Sequence, residues 1–298
     1  MTEQITIKNL DHLGLIAGII DEIDIENIVN SLIKTDQREK ISAGTIVKAI
    51  ILNGLGYLSK PLYLFPEFFR DKPVEKLLGN GIKAEEINDD KIGRVMDELY
   101  QVSGDKLWTQ IGLNMIKLFE INLTKKKWKY HKLTEIKCQD KMEKYELKYE
   151  ENKEIIELEK TKCGRFILAT KIMDNKELVG EEMLCQYKNQ QSCERGFRFL
   201  KDPLLLTKSV YVKSPKRVEV MGMLMGLCLL VYNIGQRMIR KELKRKGEKI
   251  RNQRQKPIDN PTLSWIFQLF QGIHLVQLEG KEMVSNLTEE IRKILGDI

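Results

Sequence analysis

The stretch from Ser214 to Gly247 limits the possible folds more than any other. Ser214-Pro215 is a good helix start, because Pro fits the first helical turn, where its missing N–H would be unpaired anyway. No further Pro occurs before Gly247, so one long helix is predicted. Its first half, Val218 to Ile234, is almost wholly apolar. A membrane span takes about 20 such residues. This run is shorter and carries Glu219, Asn233, Gly222 and Gly226, so a helix buried in a protein core is expected. The second half is basic, with Arg237, Arg240, Lys241, Lys244, Arg245 and Lys246. Lys249, Arg251, Arg254 and Lys256 follow, against only Glu242 and Glu248. Such a run suits contact with phosphates, and it equally suits a solvated tail.

The 298 residues suffice for two domains, and 42% hydrophobic content can build a real core. A net charge of +7 leans toward a polyanionic partner. The five cysteines form no Cys-x-x-Cys pair, and with three histidines no zinc spacing arises. Reduced thiols in a cytoplasmic protein are expected. Met1 is followed by Thr-Glu-Gln, so no signal peptide is expected.

The fold class expected is mainly α with a small α/β part. Residues 1–122 form a helical N-terminal domain, serving DNA binding or oligomerisation. Helices are predicted over Gly14 to Ile20 and Glu26 to Ile33. Ser42 caps a core helix bearing Ile46, Val47, Ile50, Ile51, Leu55 and Leu58. Asp71-Lys-Pro73 opens a short helix that Gly79-Asn-Gly81 ends. Asn88 caps an amphipathic helix, and Asp105 opens another. Asp89, Lys91 and Arg94 near a helix start suit a helix-turn-helix reader, and a packing or oligomerisation module fits the same pattern. Residues 123–163 are crowded with Lys and Glu and suggest a charged linker or remnant. Within them, 146–160 suits strand or helix. Phe166 to Thr170 is a short apolar run that fits a strand buried on both faces. Asp174-Asn175 turns the chain into a helix from Glu177 to Lys201. After 246, Pro257 to Pro261 is a loop, Thr262 to Gly272 a helix, and His274–Leu278 with Lys281–Ser285 a hairpin. His274 is expected to be structural.

The helix ending at Lys201 carries a particular spacing. Tyr187, Gln190, Glu194 and Lys201 fall within an arc of roughly 60° at 100° per residue. Cys193, Gly196, Phe199 and Leu200 lie opposite. An ordinary surface helix has the same appearance. The spacing also resembles the signature at the glutamate end of DDE transposases of bacterial insertion sequences. The likeness runs from Gly164-Arg-Phe-Ile-Leu-Ala-Thr170 to Pro215, and the N-terminal part resembles the N-terminal domain of one such branch. Gln190 stands where that family normally has Arg. The resemblance implies an incomplete ribonuclease-H-like core within 164–298, followed by C-terminal helices. It implies Glu194 as a catalytic, metal-binding carboxylate. Tyr187, Gln190, Arg198 and Lys201 would touch DNA, with Arg240, Lys241, Lys244 and Arg245 as candidate phosphate contacts. The implied partner is the terminal inverted repeats of a transposon, and the implied oligomers are homo-oligomers or mixed oligomers with an intact transposase.

The implied chemistry is two-metal phosphoryl transfer with Mg²⁺ ions roughly 3.5–4 Å apart. Hard cations take several oxygen ligands, so one Glu cannot hold both. The family supplies two Asp before the Glu. Between Ile121 and Glu194 the aspartates are Asp140 and Asp174, and neither lies on a suitable strand. The missing elements need on the order of 100 further residues. An internal deletion, leaving the copy without strand transfer, is the expectation; a non-enzymatic regulator of an intact transposase, or a helical regulator of other ancestry, are the alternatives. Mg²⁺ binding should then be weak, and calorimetric titration should detect no tight, stoichiometric two-ion binding.

Overall fold

The computed structural model describes residues 5–33, 39–56, 60–102, 104–119, 131–139, 144–162, 214–278 and 280–295. The chain divides into two compact units. One joins residues 1–111 to 194–298, and the other spans 112–193.

The first unit is mainly helical with a small antiparallel sheet. Strand β1 (Thr6–Asn9) leads into α1 (Leu13–Glu22), α2 (Ile25–Leu32) and α3 (Ala43–Leu55). Short helices α4 (Phe65–Phe69) and α5 (Val74–Leu78) precede α6 (Asp89–Val102) and α7 (Gly104–Leu118). In the second unit, strands β2 (His131–Gln139) and β3 (Lys144–Glu151) pair antiparallel, and α8 (Lys153–Lys162) follows. The ambiguous stretch 146–160 is therefore strand first and helix second. The long helix α9 (Pro215–Lys246) returns the chain to the first unit. After it come β4 (Ile250–Arg251), β5 (Pro257–Ile258), α10 (Leu263–Leu269), β6 (His274–Leu278), β7 (Lys281–Ser285) and α11 (Glu289–Leu295).

Local chemistry sets most boundaries. Ser42 Oγ accepts the Thr45 N–H at 3.1 Å and starts α3. Asn88 Oδ1 does the same for the Lys91 N–H at 2.9 Å, and Thr262 Oγ1 for the Trp265 N–H at 3.2 Å. Helix α3 ends at Leu55, where Gly56 turns extended; Leu58, expected within it, lies outside the described residues. Pro257, read as loop, pairs through β5 with Arg251 of β4.

The core centres on α9. Val220, Leu224, Leu227, Cys228, Val231, Ile234, Gly235, Ile239 and Leu243 form a buried stripe at three- and four-residue steps. That stripe packs against α1, α3 and α6. The fully buried side chains of α1 and α3 include Ile16, Ile20, Ile46, Ile51 and Leu55. Each such side chain contributes roughly 1.5–3 kcal/mol. Among the described helices α9 alone has the length and apolarity to cross a membrane. Its stripe is instead taken up by protein packing. Helix α9 shares its core with the N-terminal helices α1, α3 and α6.

The hairpin β6–β7 is present as expected, and β1 joins it to give the sheet order β1-β6-β7. Thr6 faces Gln277 and Asn9 faces His274 across that first pair. Strand β1 was not anticipated, because four residues preceding a helix carry too little pattern to read.

Two buried polar groups tie the segments together. His12, 3% exposed, donates from Nε2 to the Leu55 carbonyl at 3.0 Å and stacks on Phe267 at 4.2 Å. It thereby links the start of α1, the end of α3 and α10. Burial pushes its pKa down to about 4, with Asp11 and Lys72 as smaller opposed charges. Lys48, whose side chain is 7% exposed, meets Asp21 at 2.5 Å and Glu26 at 4.0 Å. Here α2 and α3 approach closely: a Cβ on Gly44 would sit 2.2 Å from the Glu26 carbonyl oxygen. Backbone cannot yield as a flexible side chain can.

Two predictions follow from this packing. Gly44→Ala should destabilise the protein by about 3 kcal/mol, whereas Gly18→Ala, on the exposed side of α1 with nothing within 4 Å, should stabilise it by about 0.5–1 kcal/mol; urea unfolding of both variants checks the contrast. Because His12 is neutral when folded and titrates at the usual 6.5 when unfolded, its contribution is complete above pH 6.5 and is lost as pH falls toward 4. That loss is about 3 kcal/mol in total, and His12→Gln should flatten the pH dependence of unfolding across this window.

Candidate nucleic-acid interface

The basic half of α9 ends in a glycine cap. Gly247 takes φ +68°, a left-handed turn that glycine adopts without strain. The Glu248 N–H then donates to the Leu243 carbonyl at 2.9 Å and closes the helix. Lys244, Arg245 and Lys246 occupy the last turn, where the helix dipole favours cations. That local preference accounts for the last turn alone. It does not reach Lys241, or Lys249, Arg251, Arg254 and Lys256 beyond the helix.

The four α9 residues picked out from sequence have different circumstances. Arg240 is half-buried, and its Nε donates to the Pro261 carbonyl at 2.7 Å, pinning the loop before α10. Arg245 is exposed and grips Glu242 through Nε at 2.9 Å and Nη2 at 2.5 Å. Glu242 is held below the usual carboxylate range by this bond. Lys241 and Lys244 are exposed and enter no ion pair among the described residues.

Beyond the cap, the chain turns back through β4 and β5. Ile250 faces Ile258 and Arg251 faces Pro257. The connecting loop is closed by Asn252. Its backbone N–H donates to the Lys256 carbonyl at 2.9 Å, and its Oδ1 accepts the N–H groups of Arg254 at 2.9 Å and Lys256 at 3.0 Å. Trp265 Nε1 donates to the Arg251 carbonyl at 2.9 Å and braces the ribbon against α10. Lys249, Arg251, Arg254 and Lys256 are all exposed. The exposed cations thus run from the end of α9 onto an ordered hairpin.

The N-terminal reading of Asp89, Lys91 and Arg94 as a DNA-facing set needs correction. Lys91 is 8% exposed, and its Nζ meets Glu39 at 2.5 Å, so it holds the chain before α3 against α6. Asp89 and Arg94 are exposed. On the same helix Asp97 takes a two-point bond from Arg217, at 2.8 and 2.6 Å, that fixes the start of α9. This bond holds the Asp97 carboxyl below its ordinary range. No sequence pattern marked it, because the partners lie 120 positions apart.

Glu194, Tyr187, Gln190, Arg198 and Lys201 lie outside the described residues, as do the strand expected over Phe166 to Thr170 and the helix expected over Glu177 to Lys201. Among the described residues no group of three His, Cys, Asp or Glu side chains is gathered as a metal site requires. His274 lies in β6 opposite Asn9 and Ser285.

Residues 5–113 match a family model described as a domain of unknown function, DUF4277. The match covers β1 through most of α7 and omits α9, the helix that completes the core. No curated protein matches the chain, and no solved structure matches it.

Proposed function

We propose that this chain is a transposase-family protein of the DDE class that holds transposon-end DNA and does not cut it. The observation that carries the reading is the exposed run Lys241, Lys244, Lys249, Arg251, Arg254 and Lys256, which enters no ion pair among the described residues. Like charges gathered on one surface repel each other, and a polyanion relieves that repulsion while releasing its counterions. Lys241 and Lys244 then rest on phosphates. Arg240 serves chiefly to fix the loop at Pro261, and Arg245 is available once it exchanges Glu242 for phosphate.

In this reading residues 164–298 include part of a ribonuclease-H-like core, with Glu194 as its remaining carboxylate. Tyr187, Gln190, Arg198 and Lys201 contact the transposon end. With two aspartates lacking, Mg²⁺ is held weakly and strand cleavage is absent. A cytoplasmic location and assembly into homo-oligomers, or into mixed oligomers with an intact transposase, belong to the same proposal.

A regulator reading gains from one feature. The first unit closes its core from residues 1–111 and 194–298. Residues lost between those segments leave the α1, α3, α6 and α9 contacts untouched. A deleted copy can then keep its DNA-holding surface and occupy the ends that an intact enzyme needs.

Gel-shift titration of the full chain on terminal inverted-repeat DNA tests the proposal. Retention at moderate salt is expected, and Lys241→Ala with Lys244→Ala should lower the log–log salt slope by about 2. Sequence-specific retention favours the regulator, and weak binding that salt erases favours an inert relict. Failure to bind any duplex at low salt would sink both.

A further inference from the structure

Resting on the DNA-holding reading above, we infer that the β4–β5 hairpin is a base-reading element, separate in role from the phosphate-holding lysines of α9. Its tip consists of Gln253, Arg254 and Gln255, all exposed. These are the side-chain types whose paired donors and acceptors match base edges: Gln on adenine, Arg on guanine. Lysine, a rotatable point charge, suits phosphate instead. A two-stranded ribbon is also one of the two protein shapes that the major groove of duplex DNA admits.

The tip is held in one conformation before any ligand arrives. Asn252 Oδ1 binds two backbone N–H groups of the loop, and the Gln255 N–H donates to the Asn252 carbonyl at 2.8 Å. Gln255 takes φ +58°, a left-handed conformation uncommon for a residue with a Cβ. The ribbon is fixed at its base by Trp265 on the Arg251 carbonyl and by the Arg251 N–H on Glu290 at 3.3 Å. Gln253 rests lightly against Gln268 at 3.4 Å. A solvated tail needs none of this bracing. A reading head gains from it, because a loop ordered in advance loses little entropy on binding.

The connection to α9 is short. β4 begins four residues after Lys246, and Gly247 turns the chain sharply. The helix end and the ribbon are therefore neighbours along the chain, and in the inferred complex the lysines of α9 set the register on the phosphates while the tip enters the groove.

The test starts with selection from randomised duplexes by the unaltered full chain, followed by affinity measurement on the selected site and on a scrambled one. A preference for particular bases is expected. The triple variant Gln253→Ala, Arg254→Ala, Gln255→Ala should keep its thermal melt, since all three side chains are exposed. It should lose at least tenfold of that preference, with scrambled-site affinity falling by no more than one removed charge implies. Lys241→Ala with Lys244→Ala should weaken both duplexes alike and leave the preference intact. If the triple variant retains the preference, or if the unaltered chain binds duplexes without any, the hairpin inference is overturned while DNA holding stands. If the unaltered chain binds no duplex, both fall together.

Discussion

The structure depends on the burial of one stripe of α9. This helix packs against α1, α3 and α6, and in the chain it follows the whole second unit. The contact is apolar and non-directional, so its strength comes from area. Its register comes from a few directional groups. Arg217 on Asp97 fixes one end of the helix, and Arg240 on the Pro261 carbonyl holds the loop that leads into α10. The Arg217 and Asp97 side chains are 38% and 47% exposed, so the pair orients more than it stabilises.

This arrangement divides α9 into two halves with different duties. The apolar half is committed to the core, and the basic half projects its cations into solvent. A rigid core anchor places those charges more definitely than a mobile tail would. The same logic extends to the hairpin, where Trp265 joins the ribbon to α10, itself seated on His12 through Phe267.

Much of the helical layout was legible from sequence. Ser42, Asn88, Thr262 and the Ser214-Pro215 start each announce a helix through chemistry that acts within four residues. The buried stripe of α9 was legible too, since periodicity survives in the chain whatever it packs against. What escaped were relations between distant positions. β1 joins β6 across more than 260 residues, and no local pattern in Thr6–Asn9 foretells it. Lys91 illustrates the same limit at the candidate site. A lysine near a helix start suits a phosphate, and only tertiary packing reveals that Glu39 has already neutralised it. Lys241 and Lys244 were identifiable because runs of like charge are a local property. The difference between them and Arg240 was not, because it depends on the Pro261 carbonyl 21 positions away.

The split composition of the first unit also governs how the chain is made. A ribosome releases residues 1–111 roughly 5–20 s before α9 follows, at ordinary rates of synthesis. Through that interval α1, α3 and α6 lack the helix they pack against. The nascent N-terminal segment is then a natural client for chaperones. Completion of the fold waits on translation of the far end, so a message broken anywhere before Ser214 yields a product with an open core and no basic surface to present.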